Sequence, residues 1–484
     1  SLWDRTTDNF WQNHNILSLA LNANAHWSMT ASLHYTYGYG YYEEFRQNNK
    51  LAKYGLVFKD SEGKTRVKKV VNYTSSNGAV TVATNPEEIA ALKTDGIPGS
   101  VSSHGTHVAS SAAGSVVDAT VDYAPGIRRI GGMAPESDLV LCGINSFTTE
   151  HIAKGVDEII KTARELGEPC VINFSFGTTG GWHDGKDDVN TIINEYEKEG
   201  VVFCMSSAND GVSKWTVDKV IPPDGYMKFI PTKLPLDEES SKAFYLSKTM
   251  SVRLPQCADP VAMSYSFEVV DTITGTITQL SETPLLYKNG GTYTPRIKIA
   301  NDADHQNWLK GTFSLQRSYF ETGSKFLVVK LRNRTQSDLR VYVMSERKAG
   351  ERHLNDFIDT DIPNYEYDKG TADISINDAC SADNIITVGA YTIAPKMRGL
   401  NGKVYAEANR GPANCAAVYS SYGRDDYGKM HPDVIAPGTF TVAAYNQYDT
   451  SKATIADKSS WDNGYINAYL TDSQNNTYLF YNNT

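Results

Sequence analysis

The chain has 484 residues, of which 40% are hydrophobic and 21% are charged, a composition typical of folded globular proteins and not of disordered ones. This length allows two or three domains, and the formal net charge of -10 argues against a nucleic-acid partner. No apolar run is long enough for a membrane-spanning helix, and the first ten residues, SLWDRTTDNF, lack the basic and apolar stretches of a secretory signal peptide.

Two alternating segments open the chain. In ILSLALNANA, Leu17, Leu19 and Leu21 fall on one side, and MTASLHYTYGYGYY alternates in the same way. A period of two is typical of β-strands, so the pattern predicts a β-hairpin that turns near His26. The aromatic-rich text resembles part of the barrel of TonB-dependent outer-membrane receptors. A fragment this short cannot close a barrel, however, and an ordinary soluble hairpin fits equally well. We expect residues 1–56 to be foreign to the fold that follows.

Strands and helices alternate between about residues 138 and 206. DLVLCGI, PCVINFSFG and VVFCMSS predict short apolar strands. TTEHIAKGVDEIIKTARELGE predicts a helix with Thr148 or Thr149 as its N-cap, and KDDVNTIINEYEKEG predicts a second helix that ends at Gly200. This alternation favours an α/β fold with a parallel sheet flanked by helices. Ligands of such sheets bind beyond the carboxyl ends of the strands, where SFGTTGG and SANDG lie.

The pattern changes over residues 213–370. MSYSFEVVDTITGTITQL, GTFSLQRSYF and KFLVVKLRNRTQSDLRVYVMSE alternate, with turn residues between them. They predict an antiparallel β-sandwich inserted into the α/β domain. The α/β domain would therefore comprise residues 57–212 and 371–445, and residues 446–484 predict a polar tail rich in Asn, Ser and Asp.

The six cysteines include no CxxC pair, and several lie in apolar strand-like text such as LVLCGI and VVFCMSS. This context favours buried free thiols over a metal site or a disulfide framework.

Two histidines three residues apart, His104 and His107, lie in VSSHGTHVAS, before small residues typical of close helix packing. The text indicates an imidazole at the start of a helix, near the edge of a sheet. Such a group is either a catalytic base or a structural histidine.

Two strand ends supply further candidates. Asn209 follows the strand VVFCM, where its side-chain amide can face a developing oxyanion; a turn asparagine before Asp-Gly is the alternative. Ser175, Phe176 and Gly177 follow the strand VINF with little side-chain bulk, so an extended peptide can pair with their backbone. The alternative there is an ordinary connection from strand to loop.

Six motifs carry a family resemblance: SHGTHVA, GMAPESDLVLCGIN, VINFSFG, FCMSSANDG, NIITVGAY and HPDVIAPG. Their order and context resemble the subtilisin-like serine peptidases over about residues 56–210 and 370–445. The resemblance implies a subtilisin-like fold, a polypeptide substrate and hydrolysis of peptide bonds through an acyl-enzyme. The long insert is similar to the β-sandwich inserts of some bacterial members. The site roles that the resemblance implies are a general base at His104, an oxyanion donor at Asn209, a wall of the substrate cleft at Ser175, Phe176 and Gly177, and a packing residue at His107.

Two members of the expected catalytic triad have no recognisable motif. The family's nucleophile lies in a Gly-Thr-Ser-Met-like motif after PDVIAPG, and its acid lies in an Asp-Thr/Ser-Gly motif before FKDSEGKTRV; neither occurs here. Asp60 lies too far along the family pattern to be that acid. We expect a truncated or composite subtilase that is nearly inert. A peptide-binding pseudoenzyme is one alternative, and an enzyme with a relocated nucleophile, such as Ser420 or Ser459, is another.

Calcium is common in this family, so a structural calcium ion is an expectation from the resemblance, although no ligand cluster of suitable spacing marks a site. Both resemblances imply a secreted, periplasmic or envelope-associated protein of a Gram-negative bacterium. A third function class, an outer-membrane component, depends on residues 1–56 alone.

Overall fold

The computed structural model describes residues 8–24, 27–42, 58–60, 62–73, 80–92, 103–121, 127–144, 148–177, 181, 183–196, 200–231, 245–253, 263–279, 285–286, 292–293, 298–301, 308–316, 325–345, 357–406, 410–425, 428–446, 449, 451–454, 456–461, 465–471, 475 and 477–483. No helix among these residues is both long and apolar enough to cross a membrane.

Up to residue 206 the elements are β1 (Asp8–Asn24), β2 (Trp27–Tyr42), β3 (Val67–Tyr73), β4 (Val80–Ala83), α1 (Pro86–Ala91), α2 (His104–Ala113), β5 (Val117–Thr120), β6 (Ile127–Ile130), β7 (Leu139–Ile144), α3 (Thr149–Leu166), β8 (Cys170–Phe174), α4 (Asp188–Glu195) and β9 (Val201–Ser206). From residue 216 to 345 they are β10 (Thr216–Ile221), β11 (Tyr226–Phe229), β12 (Tyr245–Arg253), β13 (Met263–Asp271), β14 (Ile277–Gln279), β15 (Leu285–Leu286), β16 (Thr292–Tyr293), β17 (Lys298–Asn301), β18 (Trp308–Gln316), β19 (Lys325–Asn333) and β20 (Leu339–Ser345). After these come a short 3-10 helix (Asp378–Ser381), β21 (Ile385–Tyr391), β22 (Lys396–Arg398), β23 (Val404–Ala406), β24 (Gly423–Arg424), β25 (Met430–His431), β26 (Val434–Pro437), β27 (Thr441–Ala444), a second 3-10 helix (Lys458–Trp461), β28 (Ile466–Thr471) and β29 (Thr477–Asn483).

The first two strands form a hairpin. β1 and β2 pair antiparallel from Asp8 opposite Tyr42 to Asn24 opposite Trp27. These are the two strands that the alternating text predicts. The predicted turn residue, His26, lies outside the described residues.

A parallel sheet forms the centre of the fold, as predicted. Its strands lie in the order β26-β21-β9-β8, and every neighbouring pair is parallel. A second sheet, β4-β3-β7, contains the parallel pair β3 and β7. Helix α3 contacts strands of both sheets. Its buried side chains Ile152, Val156 and Ile160 share one apolar core with Ile172 of β8 and Phe203 of β9.

Local signals explain where the two helices of this region begin and end. The Thr148 side chain accepts a hydrogen bond from the His151 N–H and caps α3, and Gly167 ends that helix with a φ of 71°. Asp187 caps α4 in the same way. The predicted end of this second helix at Gly200 is wrong, since α4 ends at Glu195. The residues after Tyr196, EKEG, offer no apolar side chain that a longer helix could bury.

Two antiparallel sheets occupy the segment in which an inserted all-β unit is predicted. One has the strand order β10-β20-β12-β18-β17 and the other β11-β19-β13-β14. Both bury apolar side chains, among them Val341 and Val343 of β20 and Val328 and Val329 of β19.

A further antiparallel sheet has the order β27-β29-β28-β5-β6. Two of its strands, β28 and β29, come from the segment whose composition predicts a polar tail. Ile466 and Ala468 of β28 and Leu479 and Tyr481 of β29 are buried, and Trp461 packs with them. Although its composition is polar, this segment therefore contributes side chains to a second apolar core.

The described cysteines are all free thiols. Cys170 and Cys380 are buried, as predicted, whereas Cys142 and Cys204 are partly buried and Cys415 is exposed. Cys415 differs because it lies in a run of exposed residues, 412–416, outside the sheets. Cys257 lies outside the described residues.

Candidate functional site

The candidate base, His104, is the first residue of helix α2 and is exposed. The residue before it, Ser103, is buried, and its hydroxyl donates a 2.8 Å hydrogen bond to Oδ2 of Asp449. Asp449 Oδ1 in turn accepts from the Ser451 N–H at 2.9 Å. Neighbouring protein atoms partly desolvate His104 and lower the pKa of its imidazole from the usual value. The start of α2 is thus tied to the C-terminal part of the chain, while the imidazole stays accessible.

The second histidine, His107, faces the interior. Its Nε2 lies 3.1 Å from the Thr441 carbonyl oxygen, so Nε2 carries the proton and donates. The ring packs edge-on against Tyr481, with centroids 5.0 Å apart. Burial lowers the pKa of His107 to about 4, against an opposing effect of the hydrogen bond to Thr441. These contacts fit the packing role that the family resemblance implies.

The other end of α2 is held by the motif GMAPES. The Gly132 N–H donates to the Gly114 carbonyl at 2.7 Å, and a Cβ at Gly132 would lie only 2.3 Å from the Gly114 nitrogen. The buried guanidinium of Arg66 donates to the Ala113 carbonyl at 2.5 Å and to the Ser115 hydroxyl at 3.1 Å. A cation at the carboxyl end of a helix also complements the helix dipole.

The candidate oxyanion donor, Asn209, is exposed in the loop that follows β9. Its neighbours are fastened to residues 419–421. The Ser421 N–H donates to the Ala208 carbonyl at 3.0 Å, and the Asp210 N–H donates to the Ser421 hydroxyl at 2.8 Å. Ala208 adopts a φ of 87°, a strained conformation for a residue with a Cβ. The loop therefore presents Asn209 on a backbone that is fixed on both sides.

The proposed cleft wall, Ser175, Phe176 and Gly177, follows β8. The hydroxyl of Ser175 accepts a 3.0 Å hydrogen bond from the Asn173 amide, and the ring of Phe176 packs edge-on against Phe174. Gly177 is exposed. Since β8 and β9 are adjacent parallel strands, their carboxyl ends put this wall and the Asn209 loop at the same edge of the sheet.

The chain segment that supports the His104 helix also starts from that edge of the sheet. Strand β26 belongs to the parallel sheet, and β27 follows it after three residues. Helix α2 packs on β27, where the Ala444 N–H donates to the Ser110 hydroxyl at 2.9 Å. The wall and the Asn209 loop therefore share one edge of the parallel sheet, and the helix that carries His104 packs on the strand that follows β26.

Two residues beside the wall carry no motif and were not predicted. Asn377 donates its side-chain amide to the Phe176 carbonyl at 3.1 Å and to the Ser206 carbonyl at 3.2 Å. Asp378 accepts a 2.6 Å hydrogen bond from the His183 N–H. Burial, then the neighbouring Asp187 carboxyl, raises the pKa of Asp378 well above its usual range. Both contacts join residues about 200 positions apart, so only the fold reveals them.

The alternative nucleophiles are engaged locally. Ser420 is buried, and its hydroxyl accepts a 2.9 Å hydrogen bond from the Ala390 N–H. The Ser459 hydroxyl donates to Asp457 Oδ1 at 2.6 Å. Asp60 accepts from the N–H groups of Glu62 and Lys64 within its own turn.

Within the described part of the chain, no group of three or more His, Cys, Asp or Glu side chains is arranged to hold a metal ion. No carboxylate cluster among these residues therefore marks the structural calcium that the resemblance suggests.

Comparison with known proteins agrees with this architecture. The model of the Subtilase family matches residues 30–242 and 324–473, well over half of the chain. The unmatched stretch between these ranges lies within the predicted insert, and the match starts inside the segment that contains the N-terminal hairpin. The solved structure of the Clostridium perfringens CspB protease is similar in fold, with a TM-score of 0.52 and 18% sequence identity over 83% of this chain and 77% of that one.

The parallel sheet, the helix that carries His104 and the extent of the family match lead to one conclusion: the chain belongs to the subtilase family of serine peptidases.

Proposed function

We propose that this protein is a subtilisin-like serine endopeptidase by descent, in which His104 is the general base, Asn209 is the oxyanion donor and Ser175 to Gly177 form a wall of the substrate cleft; because it has no recognisable Ser or Asp triad motif, we expect it to be nearly inert. One observation carries the proposal. His104 and Asn209 are exposed, while the neighbours that hold their backbones are fixed by hydrogen bonds at 2.8 to 3.0 Å. Preorganised but accessible polar groups are what acyl transfer requires.

The chemistry assigned to each residue follows from its surroundings. A lowered pKa keeps His104 neutral at pH 7, so the imidazole can accept the proton of an attacking serine hydroxyl. The same imidazole, once protonated, returns the proton to the leaving amine. The Asn209 amide donates to the oxyanion of the tetrahedral intermediate. An extended substrate pairs with the backbone of the wall, which holds the scissile carbonyl between base and donor.

The first test combines peptide hydrolysis with fluorophosphonate labelling of the purified full-length protein. A fluorophosphonate reacts with an activated serine wherever it lies in the chain, and mass spectrometry then identifies it. We expect little or no turnover by the wild type; turnover that disappears in His104→Ala would contradict this expectation, since loss of the base costs about 10⁶-fold in kcat in an intact subtilisin, a member of this family. His151→Gln, which changes a histidine that stacks on Tyr73 and has no assigned role, is the control and should keep whatever activity the wild type has.

The second test concerns Asn209. Asn209→Ala should lower kcat about 10² to 10³-fold with little change in KM, since the donated hydrogen bond strengthens only in the transition state; the scale again comes from a subtilisin. Asn414→Ala, at another exposed asparagine, is the control and should leave kcat unchanged. Equal losses in both variants would remove Asn209 from the mechanism.

The same assays distinguish the alternative function. A protein that binds peptides along the wall, yet neither hydrolyses them nor takes up the fluorophosphonate, is a peptide-binding pseudoenzyme. In that case Phe176→Ala, which changes a side chain of the wall, should weaken peptide binding, while His104→Ala should not.

We further propose that the protein works outside the cytosol, in a secreted, periplasmic or envelope-associated form, because of its resemblance to secreted subtilases. Fractionation of the source cells tests this location. Recovery of the full-length protein from the cytosol alone would contradict it.

A further inference from the structure

Asn377 lies where the two features of the proposed cleft meet. Its side chain is fully buried, at 0% exposure. Its amide nitrogen bridges the Phe176 carbonyl, at 3.1 Å, and the Ser206 carbonyl, at 3.2 Å. Phe176 belongs to the proposed wall, and Ser206 is the last residue of β9, three positions before Asn209. One side chain thus spans the gap between the wall and the oxyanion loop.

The bridging side chain is itself held firmly. The Asn377 backbone N–H donates to the Ser207 carbonyl at 2.9 Å, which adds a third bond to the start of the Asn209 loop. Its Oδ1 accepts from the Ala379 N–H at 3.3 Å and caps the 3-10 helix. Every hydrogen-bonding group of this amide side chain therefore has a backbone partner, which leaves little freedom for the bridge to shift.

The wall is shaped to admit the bridge. A Cβ at Gly177 would lie 1.9 Å from Nδ2 of Asn377, so only glycine fits there. A Cβ at Gly181 would similarly lie 2.1 Å from the carboxyl carbon of Asp378. Two described glycines after β8 therefore lie against these side chains, Gly177 against Asn377 and Gly181 against Asp378.

We propose that Asn377 is a positioning residue for catalysis: its amide sets the separation between the cleft wall and the oxyanion donor Asn209. This inference depends on the proposed peptidase function for its kinetic consequence, but the bridge itself is a property of the fold. A peptide seated on the wall presents its carbonyl to Asn209 only if the two strand ends keep one spacing. A misplacement of about 1 Å can cost about 100-fold in rate.

The test variant is Asn377→Asp. The substitution keeps the shape and the Oδ1 acceptor, but it removes both N–H donors and points a carboxylate oxygen at two carbonyls. We expect kcat to fall about 10 to 100-fold per fluorophosphonate-titrated site while KM changes less than about threefold, since peptide contacts along the wall remain. Asn377→Ser, which is neutral and too short to reach both carbonyls, should show the same pattern and serves if the charged variant does not fold.

Asn333→Asp is the matched control. Asn333 is also fully buried, and its amide donates to two backbone carbonyls, those of Ile221 at 2.9 Å and Ser337 at 2.8 Å, in the inserted segment. It should lose stability as the Asn377 variant does, yet keep kcat per titrated site. Titration of active sites removes any effect of a smaller folded fraction.

Hydrogen exchange followed by mass spectrometry separates this inference from the proposed function. In the Asn377 variants, backbone amides of residues 174–177 and 205–211 should exchange faster, whereas those of the insert should not. If exchange there is unchanged, or if kcat per site stays within twofold of the wild type, the positioning role is wrong. If the wild type hydrolyses no peptide, the peptidase function fails, and the exchange result alone decides whether Asn377 holds the two strand ends.

Discussion

At the scale of single residues, two histidines three positions apart have opposite surroundings. His104 is exposed at the start of α2, whereas His107 is buried against Tyr481 and donates to a backbone carbonyl. Residues three positions apart lie on nearly the same face of a helix, so the difference comes from position along the helix: His104 is the first residue of α2, whereas His107 lies one turn further in, against β27 and β29. Their shared sequence context therefore does not imply a shared role.

The buried ring makes stability depend on pH. The folded-state pKa of His107, about 4, lies below the unfolded value of 6.5, so the unfolded chain binds a proton first as the pH falls. The stabilisation is complete above pH 6.5 and is lost on acidification towards pH 4. Between pH 7 and pH 5 this residue should cost about 2 kcal/mol of unfolding free energy. Urea unfolding at both pH values measures it.

His107→Gln is the control, since glutamine keeps a donor for the Thr441 carbonyl but does not titrate. The pH dependence of its unfolding free energy should be smaller by about the same 2 kcal/mol. An equal pH dependence in the two proteins would mean that His107 is not the group that titrates.

At the scale of elements, the helices are fixed by local signals at their ends and by apolar stripes on one face. Helix α3 has a threonine N-cap, a left-handed Gly167 after its last turn, and Ile152, Val156 and Ile160 on its buried face. Its contacts join the β3-β7 pair to the main parallel sheet. Loss of its N-cap should therefore lower the stability of the whole α/β part.

Thr148→Ala should lower the unfolding free energy by about 1 kcal/mol, because the His151 N–H loses its hydrogen-bond acceptor. Thr148→Ser keeps the hydroxyl and should remain within about 0.5 kcal/mol of the wild type. Chemical denaturation of the three proteins measures both effects. A serine variant as unstable as the alanine variant would show that the methyl group matters and the cap does not.

At the scale of the whole molecule, the segment between the two family-like parts leaves and re-enters the α/β fold at one point. Thr216 and Thr371 pair as an antiparallel bridge, with the Thr371 N–H donating to the Thr216 carbonyl at 2.8 Å. The two antiparallel sheets lie between these residues in sequence. Because the two ends of the insertion lie side by side, closing it as a loop adds little entropic cost to the folding of the surrounding domain.

Replacement of residues 217–370 by a two-residue Asn-Gly turn should therefore leave a folded protein, since such a turn joins antiparallel partners. Calorimetry should show one cooperative transition for the remaining part. The excision uncovers Ile374, which packs against Tyr342 and Met344, so Ile374→Thr should accompany it. Aggregation or a non-cooperative transition would indicate that the insert completes the core of the α/β part.

The sequence by itself determined the elements whose causes are local. Periodicity, caps and turn residues were enough to predict the N-terminal hairpin strands, a helix with Thr148 or Thr149 as its N-cap and the parallel α/β segment, while the resemblance of six motifs indicated the family. The positions of His104, Asn209 and residues 175–177 in the fold follow from their motifs, while their roles stay predictions. The end of α4 was missed because the extra turn would satisfy helix propensity but would bury nothing.

Only the tertiary structure decided the features that join distant parts of the chain. The tie from Ser103 to Asp449 spans 346 positions, and the bridge from Asn377 to Phe176 spans 201. The segment that looked like a polar tail contributes strands and a core, because its apolar residues are spaced to meet partners from elsewhere in the chain. A hydrogen bond between remote residues produces no periodic pattern in a single sequence, so it can be identified only in the folded structure.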